Sequence, residues 1–248
     1  MEIRAAYISE KGGREVNEDF VQISKLTDGV TVALADGLGG HGLGDEASRT
    51  AVQVADAEIK ASGSLERAFE KAQEAVLDKQ NRCRTKTKMK TTLCLLRIRD
   101  GRAEAGHVGD SRIYYFKNGK ILKRTLDHSL PQMLVNAGEI KENEIRFHED
   151  RNRVTRVIGT EWEEPQYEIE KEFIAKEKGL FGIKNRYAFL LCSDGWWELI
   201  NEADMETALS SADSPEEWLL RMKERICENG KGKEMDNYTA AAVFVKND

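Results

Sequence analysis

Proline is scarce in this chain: Pro131, Pro165 and Pro215 are the three in 248 residues, and no Pro- or Ser-rich stretch interrupts the sequence. That speaks against a linker-jointed array and for one continuous domain over residues 1–248. Cysteine is also sparse. Cys83, Cys94, Cys192 and Cys227 form no CxxC pair, so a disulfide scaffold or a paired-thiol zinc site is not expected, and the pattern suits a reducing compartment. No apolar run approaches the ~18 residues that span a bilayer. The opening "MEIRAAYISEKGG" lacks the apolar core of a signal peptide, so a cytoplasmic location is expected. A basic excess is missing too: net charge is −6, which speaks against a nucleic-acid partner. The one basic cluster, "RCRTKTKMK" at 82–90, has no interleaved aromatics. It is expected as a solvated loop or, failing that, as a contact for an acidic partner.

What is present is enough apolar residue, 40% of the chain, for a sizeable core. Strands are predicted over 4–9, 19–25 and 30–35, then two amphipathic helices over 45–61 and 65–81, the second N-capped by Ser64. An antiparallel meander follows, with strands over 91–99, 102–108, 111–117 and 120–125. Asp100-Gly101 and Asn118-Gly119 mark its tight hairpins, because Asn, Asp and Gly tolerate the positive φ such turns need. Residues 127–165 are less regular. "RYAFLLCSDG" reads as another buried strand, and helices follow near 201–210 and 214–228. The second of these carries a capping box, Ser214 with Glu217, and is stopped by Asn229-Gly230. "YTAAAVFVKN" closes the chain. Strands and helices do not alternate as βαβ, so the fold class is α+β with mainly antiparallel sheets.

Acidic residues recur where the predicted strands stop or start. Glu18 and Asp19 lie in "REVNEDF", Asp36 ends "VALAD", Asp110 sits in "HVGDSR", Asp194 ends "FLLCSD" and Asp236 begins "DNYTAAAVFV". Each alone is a commonplace turn residue. Five such turns at the ends of core strands can gather carboxylates at one sheet edge, where they would repel one another and resist ionisation. A divalent cation removes that penalty, and an all-oxygen ligand set favours magnesium, manganese or calcium over zinc or copper. The glycines after Asp36 and Asp194 are expected to let the backbone come close to a metal or its waters.

Taken in order, "RxxxED" at 14–19, "DGLGGH" at 36–41, "GDSR" at 109–112, "LDHS" at 126–129, "NRVTRVIG" at 152–159, "LLCSDG" at 190–195 and "DNYT" at 236–239 resemble the bacterial-type PPM (protein phosphatase 2C) family of metal-dependent serine/threonine phosphatases. The resemblance runs from about residue 3 to 246. It implies two antiparallel sheets packed face to face and flanked by helices, with a flap at about 127–165. It implies two Mn²⁺ or Mg²⁺ ions bound by Asp19, Asp36 and Asp194, with Asp36 bridging and the Gly37 carbonyl adding an oxygen. Asp236 would complete the shell of the second ion, Glu18 would act through metal-bound water, and Asp110 would help hold a third, weaker ion. Arg14 would clasp the substrate phosphate, since a guanidinium fork suits phosphate oxygens.

The implied reaction is direct attack of a metal-activated water on phosphoserine or phosphothreonine, reversing a Ser/Thr kinase. The partners implied are phosphorylated proteins, and a monomer is expected. No cysteine has an arginine six positions on, as a cysteine-based phosphatase would require. The sequence departs from animal relatives at Leu38, where they carry a histidine proposed as general acid. His41 is the nearest alternative, set against a purely structural role with a metal-bound water as proton donor. Ser111 has no paired base and is expected to support its turn rather than act as a nucleophile. His107 is expected to pack, His128 to lie in the flap or cleft wall, Asn237 to orient Asp236, and Trp196 and Trp197 to pack in the core or rim, with a phosphopeptide contact as the alternative. Two rival readings are an inactive phosphoprotein-binding module and a phosphatase of a small phosphorylated metabolite.

Overall fold

The computed structural model describes residues 2–38, 43–84, 89–173 and 186–246. The two expected tight hairpins are there. Asp100 and Gly101 take φ of 51° and 73°, and Asn118 and Gly119 take 52° and 83°, the paired positive values of a turn whose twist matches its strands.

In chain order the elements are β1 (Glu2–Glu10), β2 (Phe20–Leu26), β3 (Gly29–Ala35), a two-residue β4 (Gly37–Leu38), α1 (Gly44–Ser62), α2 (Leu65–Cys83), a two-residue β5 (Lys90–Thr91), β6 (Leu93–Arg99), β7 (Arg102–Val108), β8 (Arg112–Lys117) and β9 (Lys120–Arg124). Then come α3 (Leu130–Asn136), a 3-10 turn (Glu142–Phe147), β10 (Glu168–Phe173), β11 (Arg186–Cys192), the one-turn α4 (Asp194–Trp197), α5 (Glu202–Ser210), α6 (Pro215–Asn229) and β12 (Tyr238–Lys246). One sheet runs β1-β12-β11-β8-β9 and the other β10-β7-β6-β3-β2, with every pairing antiparallel.

Alternation along the strands builds three apolar layers. Val30, Val32 and Leu34 of β3 and Ala241, Val243 and Val245 of β12 meet between the sheets. Ala33 and Ala35, on the other face of β3, pack against α1 and α2. Ala240, Ala242 and Phe244, on the other face of β12, pack against Trp196, Trp218 and the α5–α6 pair. Both faces of each sheet are covered, so the central strands read as unbroken apolar runs rather than as the alternation of a half-exposed sheet. Phe116 meets Trp218 edge to face at 5.0 Å between ring centroids, a favoured aromatic geometry.

Several local expectations need correction. β10 lies in the acidic stretch, where no strand was expected; it pairs with β7 from Glu168↔His107 to Phe173↔Arg102. Partner strands, not its own composition, make it a strand. Ser214 does accept from the Glu217 amide, but the Glu217 carboxylate returns to the amide of Asp213 rather than Ser214, so the box is displaced by one residue. Gly230 caps α6 with φ −85°, outside the left-handed region. A Cβ there would lie 2.4 Å from Met235 Sδ, so the methionine side chain would have to move. Ser64 caps α2 as expected, accepting from the Arg67 amide. Of the basic cluster, residues 85–88 lie outside the described residues.

Candidate metal centre and its cleft

Register brings the acidic turns together. Phe20 pairs with Ala35, Leu34 with Cys94 and Leu93 with Val108 in one sheet. In the other, Arg112 pairs with Cys192, Cys192 with Ala240 and Tyr238 with Glu10. The residues just beyond these pairs are Asp19, Asp36, Asp110, Asp194 and Asp236, so all five stand at one end of the sandwich. A cleft of about 650 Å³ opens there, with Arg14, Glu18, Asp36, Gly37, Asp110, Asp194 and Asp236 among its lining residues. Leu38, Asn152, Val154 and Asn237 also line it.

The carboxyls are buried and crowd one another. Burial first, then Asp194 and Asp236, pushes the Asp19 carboxyl up to about 7, against hydrogen bonds from Ser193 and Thr239. Burial and the neighbouring carboxylates hold Asp36 and Asp110 well above the ordinary range, and Asp194 is raised in the same way. Asp194 is among the carboxylates that raise Asp36. Glu18 is raised mainly by burial and is partly restrained by the Gly44 amide. Asp19 accepts from Ser193 Oγ at 2.8 Å through Oδ2, while its buried Oδ1 has no hydrogen-bond partner. A buried, unpartnered carboxylate oxygen among like charges is expensive. Oxygen donors, mutual repulsion and an orphaned oxygen are what a divalent cation would resolve, so the residues fit such an ion.

Local structure explains the placement. Asp36 is clamped at the β3 terminus: its amide donates to Thr92 Oγ1, and its carbonyl accepts from the Thr92 amide and Thr91 Oγ1. Thr92 Oγ1 also lies 2.8 Å from Ser111 Oγ, which links the Asp36 turn to the Asp110 turn and gives Ser111 the turn-supporting place expected of it. Asn237 donates its amide to Asp236 Oδ1, accepts from the Glu18 amide through Oδ1, and anchors the loop through the carbonyls of Lys11 and Val16. Asp194 does not end a strand; it opens α4, two residues beyond the end of β11 at Cys192.

The glycines after Asp36 and Asp194 have a steric reason of their own. A Cβ on Gly37 would lie 2.3 Å from the Gly44 carbonyl oxygen, and one on Gly195 would lie 2.1 Å from that of Asn237. Neighbouring backbone demands them. His41 lies outside the described residues. Arg14 is not free in the cleft: its fork makes two 2.9 Å bonds to the two Asp236 oxygens, which holds its pKa above the ordinary value. Trp196 and Trp197 are fully buried in the core.

His107 packs as expected. His128 does not line the cleft; it sits behind the Asp110 turn, accepting the Gly109 amide through Nδ1. Among the described residues, one set of three side chains has ligand atoms within 4.8 Å of one another, namely His107, His128 and Glu168. It does not suit an ion. The imidazoles stack at 4.6 Å with 15° between planes, so their in-plane lone pairs run side by side instead of converging. His107 Nε2 is bound to the Leu126 carbonyl and His128 Nε2 to Glu168. Among the described residues, no three cleft carboxylates have ligand atoms within 4.8 Å of one another.

Sequence reasoning missed Thr92, Ser193 and Thr239. They are ordinary buried hydroxyls in the sequence, and only cross-strand register reveals what they hold. It also missed Asn152 and Val154, which reach the cleft from an irregular segment.

Residues 10–235 match the family described as protein phosphatase 2C. Protein phosphatase PhpP of Streptococcus pneumoniae is 30% identical over 241 residues, 94% of this chain and 93% of that protein. The serine/threonine phosphatase stp of Listeria welshimeri is 28% identical over 224 residues, 86% of this chain and 85% of that one. Among solved structures, the Mycobacterium tuberculosis serine/threonine phosphatase PstP/Ppp superposes with a TM-score of 0.81 at 27% identity, covering 99% of each chain. The catalytic domain of PstP in complex with two manganese ions gives 0.78 at 26% identity, over 98% of each chain.

Proposed function

The chain belongs to the protein phosphatase 2C family, and from that premise we propose that it removes phosphate from phosphoserine and phosphothreonine in proteins, using two Mn²⁺ or Mg²⁺ ions held in the cleft, and so reverses a Ser/Thr kinase. The observation that carries this reading is the buried carboxyl cluster, with Asp19 Oδ1 left unpartnered. Asp19, Asp36 and Asp194 hold the core ions with the Gly37 carbonyl, Asp236 and Glu18 complete the shell, and Asp110 serves a third, weaker ion. The manganese pair in a solved relative at 26% identity supports this assignment. Bound in pairs, such ions supply hydroxide near neutral pH and offset phosphoryl charge.

The residues of the chain do the positioning. Arg14 is half exposed, and so is its partner Asp236. Water screens an exposed pair, so a phosphate dianion can compete with Asp236 for the same fork, which would leave Asp236 to hold an ion. Asn237 keeps Asp236 and the Glu18 backbone in register during that exchange. Residues 127–165 form a flap beside the reacting phosphate, presenting Asn152 and Val154 to the cleft. The site of action proposed is the cytoplasm, and the working form a monomer. All four cysteines are free thiols, and no described helix is long and apolar enough to cross a membrane.

The test is Mn²⁺-dependent phosphate release from a panel of phosphoserine and phosphothreonine peptides and small phosphomonoesters. Release from the peptides with much higher kcat/KM than from the small esters is the expected result. Preference for the small esters points to a metabolite phosphatase. Metal uptake without any turnover leaves a phosphoprotein-binding module.

A further inference from the structure

We propose that Trp197 and Arg112 are positioning residues for Asp110, and that they tie its turn to the first residues of the 127–165 segment. The proposal rests on the reading of Asp110 as an ion ligand. Asp110 sits in the short turn between β7 and β8. On its N-terminal side is Gly109 at φ 105°, a conformation that restrains the chain little by itself. The restraint comes from outside the turn. The Trp197 indole N–H donates to the Asp110 carbonyl at 3.0 Å, in a fully buried bond. The Arg112 guanidinium lies 3.5 Å from the Trp197 ring centroid, a close cation–π contact. Arg112 in turn makes a two-point pair with Asp127, at 2.8 and 2.7 Å, with the two side chains only 3% and 1% exposed. A buried fork-to-carboxylate pair cannot rotate without stranding a charge, so Arg112 is a fixed plate against which the indole is held.

The other half of the clamp is His128, the next residue after Asp127. Its amide donates to the Gly109 carbonyl at 2.9 Å, and its Nδ1 accepts the Gly109 amide at 3.2 Å. The peptide planes on both sides of Asp110 are thereby fixed, one by His128 and one by Trp197. The segment carrying Asp127 and His128 continues to the cleft wall. The Thr155 amide donates to the His128 carbonyl at 2.7 Å and the Leu130 amide to the Arg153 carbonyl at 2.9 Å, on either side of the cleft-lining Val154. A displacement of residues 152–155 is thus transmitted through 127–130 to the backbone that aims the Asp110 carboxylate.

The experiment is Mn²⁺ titration calorimetry on the full chain for the wild type, Trp197→Phe, Asp110→Asn and the double variant. Trp197→Phe removes the N–H donor and keeps an aromatic ring. The weakest Mn²⁺ site is expected to weaken about tenfold, as for loss of an outer-shell partner, with the tighter ions unchanged. The double variant is expected to match Asp110→Asn alone, because the indole acts only through Asp110. If Asp110→Asn weakens that site while Trp197→Phe binds like wild type, or if the two effects simply add, the positioning role is overturned. If Asp110→Asn itself leaves the isotherm unchanged, the ligand reading fails and the proposal falls with it. A second measurement uses the unaltered protein. The indole N–H resonance of Trp197 is expected to move in step with the last Mg²⁺ bound, and a resonance indifferent to that step refutes the coupling without any substitution.

Discussion

Stripped of divalent cations by a chelator, this protein should lose stability as the pH rises from about 5 to 8, the opposite of the usual response of a protein whose carboxylates are favourably paired. The reason is the cluster of raised carboxyls. Asp19 has its pKa lifted from 3.8 to about 7, chiefly by burial and then by Asp194 and Asp236, against the Ser193 and Thr239 hydrogen bonds. Between those two values the folded state keeps a proton that the unfolded chain has released. Stability therefore falls as pH rises: the contribution is fully present below the unfolded pKa and lost once the pH passes the folded one. A separation of about three pH units, at ~1.4 kcal/mol each, amounts to roughly 4 kcal/mol, against a total of ~5–15 kcal/mol for a typical protein. Asp36, Asp110 and Asp194 are raised in the same direction and add to the slope. The assay is urea unfolding at fixed ionic strength in chelator, at half-unit pH steps, with the denaturant slope checked for constancy. Saturating Mn²⁺ should flatten or reverse the dependence, because the ion takes the place of the protons. A chelator-treated midpoint that stays level or climbs from pH 5 to 8 would refute the electrostatic reasoning.

Three further outcomes follow from the same geometry. Asp194→Asn should lower kcat on a phosphopeptide by at least ~10²–10³-fold while raising the melting temperature of the metal-free protein, since it removes one of several crowded charges; wild-type turnover would dismiss its place at the centre. Arg14→Ala should raise KM about tenfold with a smaller change in kcat, the loss of a charge-assisted hydrogen-bond pair, and steady-state kinetics showing an unchanged KM would remove its clasping role. Gly195→Ala should cost ~1–3 kcal/mol or more, because its Cβ would stand 2.1 Å from the Asn237 carbonyl oxygen; chemical denaturation at wild-type stability would show that this loop yields easily.

Much of the fold was legible before any coordinates. The hairpins at 100–101 and 118–119 depend on residues that tolerate positive φ, a local property. The helix starts at Ser64 and Ser214 depend on side-chain caps within a few residues. The buried central strands announced themselves as unbroken apolar runs. β10 was not legible, because its residues are charged and it is a strand only by lying along β7. The one-turn α4 was hidden for a similar reason: its four residues carry no periodicity, and Asp194 looked like the end of the preceding strand. Within the candidate site, the acidic residues stood out by chemistry and position. The hydroxyls that hold them, Thr92, Ser193 and Thr239, did not, because nothing local separates them from other core threonines and serines.

The sequence by itself determined the periodicities, the turns, the placing of acidic residues at strand ends and the likeness to a phosphatase family, all of which depend on neighbours in the chain. Only the tertiary structure decided that β-strand register collects those ends at one edge, that Arg14 is held by Asp236, that Gly37 and Gly195 yield to backbone, and that Trp197 reaches the Asp110 carbonyl. Most of those facts join residues tens to hundreds of positions apart. Their energies come from packing and hydrogen bonding across strands and between layers, which no local pattern encodes.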